Sequence, residues 1–412
     1  MKRYFYLLAL CFCMMMSLSG QEEIVVTQGE KPQPIRFTGQ EAAFVSGNND
    51  FALKFFKTVN DEDESGESFI YSPMGITFVL CMVNAAAEGA TQQELEQVLG
   101  FNGADKQAVN EYCKTLIEKL PQVDKPVQLQ IANAVFLNDK YKLKKQYQED
   151  IIQYYNALAE PADFTSKKTA DRINDWCNDK TEGMIPEIIK SIDSSMVTYL
   201  LNAIFFKAEW LYDFDEALTK ERDFKTADGK IKLPMMFHSS NSFKYIHDTI
   251  FAAIDLPYEN GLWSMTVMLP DEGKTTDDVI NYLAENGLDF FRKSRKCEAF
   301  LYLPRFETKS STKNLIGTLR KLGLNRIFEN TAKIPNLCDK NLYVDFMLQK
   351  ARVEVNEKGT KAAAVTVVGL HETTSARVQP KTVEFRADRP FVYVIREASS
   401  GVILFVGKFT GK

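Results

Sequence analysis

Histidine is scarce in this 412-residue chain: His238, His247 and His371 are all there is, and no two stand at helical spacing. Without an H-E-x-x-H or a comparable pairing, a zinc centre lacks its ligands. No G-x-S-x-G, P-loop or G-x-G-x-x-G occurs either, which leaves nucleophile-elbow, ATP and dinucleotide chemistry without support. His371-Glu372-Thr373-Thr374 sets a base near two hydroxyls, but neighbours in an extended strand point to opposite faces. No catalytic residue, metal or cofactor is therefore expected. Cysteine is sparse too. Seven are present, and Cys11 and Cys13 fall in an apolar leader. The other five, Cys81, Cys113, Cys177, Cys297 and Cys338, are odd in number, far apart and free of any C-x-x-C, which excludes a disulfide framework. Cys81 and Cys177 read as small buried hydrophobes. There is no N-x-Ser/Thr sequon, and a net charge of −5 gives no footprint for nucleic acid.

Long apolar runs are also missing, with one exception. Lys2-Arg3 precede an apolar stretch from Tyr4 to Leu18, followed by Ser19-Gly20 and the polar Gln21-Glu22-Glu23. That is the composition of a secretory signal peptide over residues 1–20, and it is short for a membrane span. Lipid attachment at Cys11 or Cys13 is rejected, because Leu10 and Phe12 stand where a small residue is needed. The expected location is secreted: extracellular, or periplasmic or cell-surface in a bacterium. Export of a chain with unpaired cysteines and no sequon suits a bacterial source. Residues 21–44, with Lys31-Pro32-Gln33-Pro34, read as a mobile spacer. Length alone suggests two or three domains. No Pro/Gly/Ser-rich linker divides residues 45–412, however, and with 45% apolar residues one core is expected.

Phe51, Ala52, Phe55, Phe56 and Val59 recur at helical spacing. Ser72-Pro73 opens a nearly all-apolar helix from Ile76 to Ala87. Asn260-Gly261 sits between Leu256 and the alternating Trp263, Met265, Val267, Leu269, a strong hairpin signal. Phe391–Ile395 and Val402–Val406 flank Ala398-Ser399-Ser400-Gly401 as a second hairpin. Helices crowd the first half and strands the second, so the class is α+β.

Residues 357–368, Glu-Lys-Gly-Thr-Lys-Ala-Ala-Ala-Val-Thr-Val-Val, combine a turn with small and β-branched residues. At a period of two, Thr360, Ala362, Ala364, Thr366 and Val368 share one uncharged face, while Lys361 falls on the other with Ala363, Val365 and Val367. Such a segment fits between two existing strands, with Gly359 as hinge.

This segment resembles the hinge and reactive-centre loop of the serpins. Phe69-Ile-Tyr-Ser-Pro73, Asn133-Ala-Val-Phe136, Ile173-Asn-Asp-Trp176, Leu201-Asn-Ala-Ile-Phe-Phe-Lys207, Leu303-Pro-Arg-Phe306 and Phe385-Arg-Ala-Asp-Arg-Pro-Phe391 resemble that family's blocks, in family order. The resemblance implies an α+β serpin fold, helices packed on three β-sheets, with an exposed mobile loop at about 357–380. It also implies an irreversible suicide-substrate inhibitor of serine proteases. The hinge is then Glu357, Gly359, Thr360, Ala362, Ala363 and Ala364. The breach, where loop entry begins, is Arg305 and Trp210 with Glu357, and the shutter under the sheet is Ser72, Asn202 and Gln349. Gln349 stands where the family usually has histidine and Gly75 where it has serine.

Counting forward from the hinge gives Thr373-Thr374 as the reactive bond, suited to elastase-like proteases. Counting back from Phe385 gives Arg377-Val378, suited to trypsin-like ones, and a cysteine protease is a further possible target. Thr373 is favoured because insertion depends on hinge length. On this reading His371–Thr374 is bait for a protease. Lys114, Lys119 and Lys125, interrupted by Glu118 and Asp124, read as solvated surface, with no strong heparin site. A monomer able to polymerise is expected. The rival reading is a non-inhibitory carrier, chaperone or storage protein of the same shape.

Overall fold

The computed structural model describes residues 31–310, 314–344, 346–360 and 382–412. The signal segment 1–20 lies outside these, as do Ala362, Ala363, Ala364, Thr373, Thr374, Arg377 and Val378. Residues 32–412 cluster as one compact unit.

Eight α-helices lie among the described residues: α1 Gly39–Asp61, α2 Pro73–Ala86, α3 Gly89–Val98, α4 Lys106–Lys119, α5 Lys145–Tyr155, α6 Lys167–Lys180, α7 Thr276–Asn286 and α8 Ile316–Lys321. The early strands are β1 Phe69–Tyr71, β2 Gln128–Asn138, β3 Ala157–Ala162, β4 Thr198–Glu209, β5 Lys220–Thr226 and β6 Gly229–His247. Then come β7 Phe251–Tyr258, β8 Trp263–Pro270, β9 Arg295–Pro304, β10 Phe306–Lys309, β11 Arg352–Asn356 and β12 Gly359–Thr360. β13 Thr382–Arg386, β14 Phe391–Glu397 and β15 Ile403–Phe409 complete the set.

One sheet has six strands in the order β10-β11-β12-β4-β2-β3. The other runs β1-β15-β14-β8-β7-β6-β9-β13, with β5 also on β6. Three sheets were expected, yet two hydrogen-bonded networks result. The long β6, with a register shift between Ser240 and Phe243, continues pairing from one layer into the next.

Two apolar clusters cover the six-stranded sheet. Along β4, Ile204, Phe206 and Ala208 join the large core with α2, whereas Leu201, Ala203 and Phe205 join a smaller core with Ile173 and Cys177 of α6. That is the period of two of a strand buried on both faces. Helix α2 is buried at every position, as its composition requires. Ser72 caps it by accepting from the Gly75 amide, and Pro73 occupies the first turn, where its missing N–H costs nothing.

The spacer expected through residue 44 ends sooner. Helix α1 starts at Gly39 behind a Thr38/Glu41 capping box, and Ile35 and Phe44 are buried. The Gln33 amide donates to the Val123 carbonyl at 2.7 Å, and that of Ile35 to Ser399 Oγ at 3.2 Å. The solvated reading of Asp124 also fails. Its carboxylate is buried and accepts from Asn260 N and Nδ2, fixing the 260–261 hairpin turn. All five described cysteines are buried and free, and burial pushes the Cys177 thiol up to about 12.

Candidate functional site

The two-residue strand β12 is wedged between β11 and β4. Thr360 pairs with Val355 on one side and Ala208 on the other, and Gly359 pairs with Asn356 and Glu209. β12 is antiparallel to both neighbours. The Lys358-Gly359 turn feeding it is held by Asn356, whose Oδ1 accepts from Lys358 N at 3.0 Å and Gly359 N at 3.3 Å. Gly359 has φ +150°, and a Cβ there would lie 2.1 Å from the Ala208 carbonyl oxygen. Only glycine permits this approach of backbone to backbone.

Thr360 is fully buried, and its hydroxyl shares a 2.7 Å hydrogen bond with the Tyr258 phenol. Trp210 stacks on Tyr258, with centroids 4.4 Å apart and planes at 11°, and donates from Nε1 to the Asn356 carbonyl at 2.9 Å. The sequence singled out Trp210 and Thr360 but not Tyr258 or Asn356. Tyr258 precedes a hairpin turn, and no local pattern couples it to a residue 102 positions away.

Glu357 and Arg305 meet as a two-pronged pair, Nη2 to Oε1 at 2.6 Å and Nε to Oε2 at 3.1 Å. Thr219, not foreseen, donates to the same Oε1 at 2.7 Å. Burial pushes the Glu357 carboxyl up, but the Arg305 and Thr219 hydrogen bonds outweigh it and hold the group below the usual glutamate range. Glu357 is 3% exposed while Arg305 is half-exposed, so water screens the cation and the pair is weaker than its geometry suggests. It holds the Glu357 side chain two residues before β12. The Glu357 and Lys358 carbonyls accept from the Phe214 and Trp210 amides, at 2.9 and 2.7 Å.

β4 pairs with β2 from Thr198 to Lys207, but among the described residues no strand covers its other edge over that stretch. The inner edge of β11 from Arg352 to Glu354 also has no strand partner among them. β12 fills the upper end of the slot between β11 and β4.

Under the slot lies a polar cluster at the start of α2. Gln349 Oε1 accepts from Ser72 N at 2.8 Å, its Nε2 donates to Ser72 O at 2.7 Å, and Ser72 Oγ donates to Leu404 O at 2.8 Å. Asn202 donates to Asn133 Oδ1 at 2.9 Å, a partner that sequence reasoning missed. The two departures at 75 and 349 lie side by side. A Cβ on Gly75 would lie 2.2 Å from Asn202 Oδ1 and 2.9 Å from Gln349 Nε2, so Asn202 and Gln349 together occupy the space that a serine would need. Gly75→Ser alone should destabilise the uncut protein by about 1–3 kcal/mol through overpacking. Combining it with Gln349→His should recover at least about 0.5 kcal/mol of that loss in a denaturant double-mutant cycle. Strictly additive effects would show the two positions to be independent.

Comparison with known proteins gives a consistent result. A family model described as Serpin (serine protease inhibitor) matches residues 46–411. Antitrypsin of Bombyx mori is 31% identical over 373 residues, covering 88% of this chain and 93% of that protein. The native structure of a thermophilic serpin, Tengpin, superposes with a TM-score of 0.80 at 28% identity, over 93% of this chain and 97% of that one. A complex of thyroxine-binding globulin with thyroxine superposes with a TM-score of 0.79 at 26% identity, over 89% and 98%.

Proposed function

Because this chain belongs to the serpin family, we propose that it is an irreversible suicide-substrate inhibitor of serine proteases, with an elastase-like enzyme as the favoured target. The observation that carries the proposal is β12: Gly359 and Thr360 are already seated between two strands, and among the described residues no strand covers the β4 edge below them. Inhibition of proteases is the general activity that the family and a relative named antitrypsin support.

The protease serine attacks the Thr373 carbonyl, the Thr373–Thr374 bond breaks, and the new amine of Thr374 leaves with a proton. The protease is then held as an ester of Thr373. The cut strand continues from Thr360 into the slot, carrying the protease away from the hinge before water can hydrolyse the ester. Glu357, Arg305 and Trp210 act as the anchored base of this movement. Ser72, Asn202 and Gln349 act as the polar floor over which the sheet parts.

A carrier role is the second reading, favoured by the likeness to thyroxine-binding globulin. Against it stands the inner face of the hinge, where Thr360, Ala362, Ala364 and Thr366 bear no bulk or charge to stop entry.

Incubation with a protease panel tests the proposal. An elastase-like enzyme should form an SDS-stable complex and release a C-terminal peptide beginning at Thr374, while a trypsin-like enzyme cuts at Arg377 as at a substrate. A trapped complex releasing a peptide that begins at Val378 would overturn the assigned bond. Cleavage without complex by every enzyme tested would favour the carrier.

A further inference from the structure

Behind the seat of Thr360 stands a chain of contacts that ends at a residue outside the hinge. Tyr258, which is fully buried and bonds Thr360, is the last residue of β7. Its ring is packed on two sides, stacked on Trp210 and meeting Phe206 edge-on at 5.3 Å. The next residues, Glu259-Asn260-Gly261, turn the chain toward β8. Glu259 has φ +42° and Gly261 φ +86°, so the turn enters the left-handed region at both. Glycine takes that conformation freely. Glutamate keeps it only where neighbouring contacts impose it.

Those contacts come from two sides. On one, Glu259 N donates to the Glu209 carbonyl at 3.0 Å, and Glu259 Oε1 accepts from Glu209 N at 2.9 Å. Leu211 N donates to the Pro257 carbonyl at 2.9 Å. These bonds tie the turn to the end of β4 and the residue after Trp210, which are parts of the breach itself. On the other side stands Asp124, in the segment between α4 and β2 and 136 positions away in sequence. Its Oδ2 accepts from Asn260 N at 3.1 Å and its Oδ1 from Asn260 Nδ2 at 2.7 Å. Asp124 is 1% exposed. Burying a carboxylate is costly unless hydrogen bonds offset it, and both of these bonds go to this one turn. Asp124 thus anchors the turn to an element outside the seat of Thr360.

We propose that Asp124 is a positioning residue for loop entry: through Asn260 it fixes the turn behind Tyr258, and Tyr258 holds Thr360 at the head of the slot. The proposal rests on the insertion mechanism above and adds a residue, far from the loop in sequence, on which the seating of β12 depends. Loosening the clamp lets Tyr258 and Thr360 part. β12 then leaves its place more often, and insertion loses ground to hydrolysis of the acyl-enzyme.

The test uses the full-length uncut protein and exchanges the two partners. Asn260→Asp sets two carboxylates face to face. Adding Asp124→Asn restores both bonds, because the new amide accepts from the backbone N–H at 260 and donates to the new carboxylate. Amide exchange at Gly359 and Thr360 should quicken about tenfold or more in Asn260→Asp, while the amides of β15 keep their wild-type rates. The double variant should return to within about threefold of wild type. With an elastase-like protease, the number of inhibitor molecules consumed per enzyme trapped should roughly double in Asn260→Asp and fall back in the double variant. Asn260→Ala, which removes only the side-chain bond, should show the same changes in milder form. Tyr258→Phe should quicken the same two amides, and adding Asn260→Asp to it should change them little further, since both act on one contact. Wild-type protection of Gly359 and Thr360 in Asn260→Asp and Asn260→Ala, or effects that simply add to those of Tyr258→Phe, would overturn the role of Asp124 and leave insertion intact. No covalent complex between wild type and any protease would overturn insertion itself, and the proposal with it.

Discussion

Replacing Thr360 with arginine is expected to convert a stoichiometric inhibitor into a substrate. Thr360 has no exposed surface, its hydroxyl bonds Tyr258, and its backbone lies between Val355 and Ala208. The nearest carboxylate in the hinge, Glu357, already pairs with Arg305 in two hydrogen bonds. A guanidinium at position 360 must be buried unpaired or force β12 out of the sheet. The first option costs several kcal/mol, and the second removes the seed from which insertion proceeds. About 3 kcal/mol added to the insertion barrier slows it roughly a hundredfold, long enough for water to release the acyl-enzyme. On a gel, the complex band should give way to cleaved protein, with the cut at the same bond. Undiminished stoichiometric inhibition by Thr360→Arg would contradict entry by way of this face.

The sequence carried the parts of this site that obey local rules. The alternation from Thr360 to Val368 assigns a small inner face because side chains in a strand alternate, and the structure buries Thr360 on the face it implies. The α2 helix and the 260–261 hairpin announce themselves through composition and turn chemistry. The start of α1 was equally legible, since Thr38 and Glu41 form a capping box; reading from apolar periodicity at Phe51 passed over it. Pairings distant in sequence are another matter. Arg305 and Glu357, 52 positions apart, came only from family resemblance, and Thr219 as their third member came from neither source. Nothing local says that Tyr258 receives Thr360, or that Asp124 fixes the turn at Asn260. The exchange of volume between Gly75 and Gln349 needs three dimensions, because each position alone looks like a defect.

A sharp rise in melting temperature on cutting the loop is the second large effect expected. Among the described residues, no strand covers the edge of β4 from Thr198 to Lys207 or the inner edge of β11 from Arg352 to Glu354, and both flank the same slot. A strand entering it forms ladders on both sides and buries the inner residues against the α2 face. Each ladder bond contributes on the order of 1 kcal/mol net, so ten or more give about 10 kcal/mol. On the proposed insertion mechanism, the uncut chain is held short of its most stable state by a kinetic barrier. At roughly 1 °C per kcal/mol for a chain of this size, completing the sheet should raise Tm by about 10 °C. Calorimetry of the same preparation before and after a single verified cut in the loop tests the central claim most directly. The account requires a gain of that order, and equal melting temperatures for intact and nicked protein would contradict it.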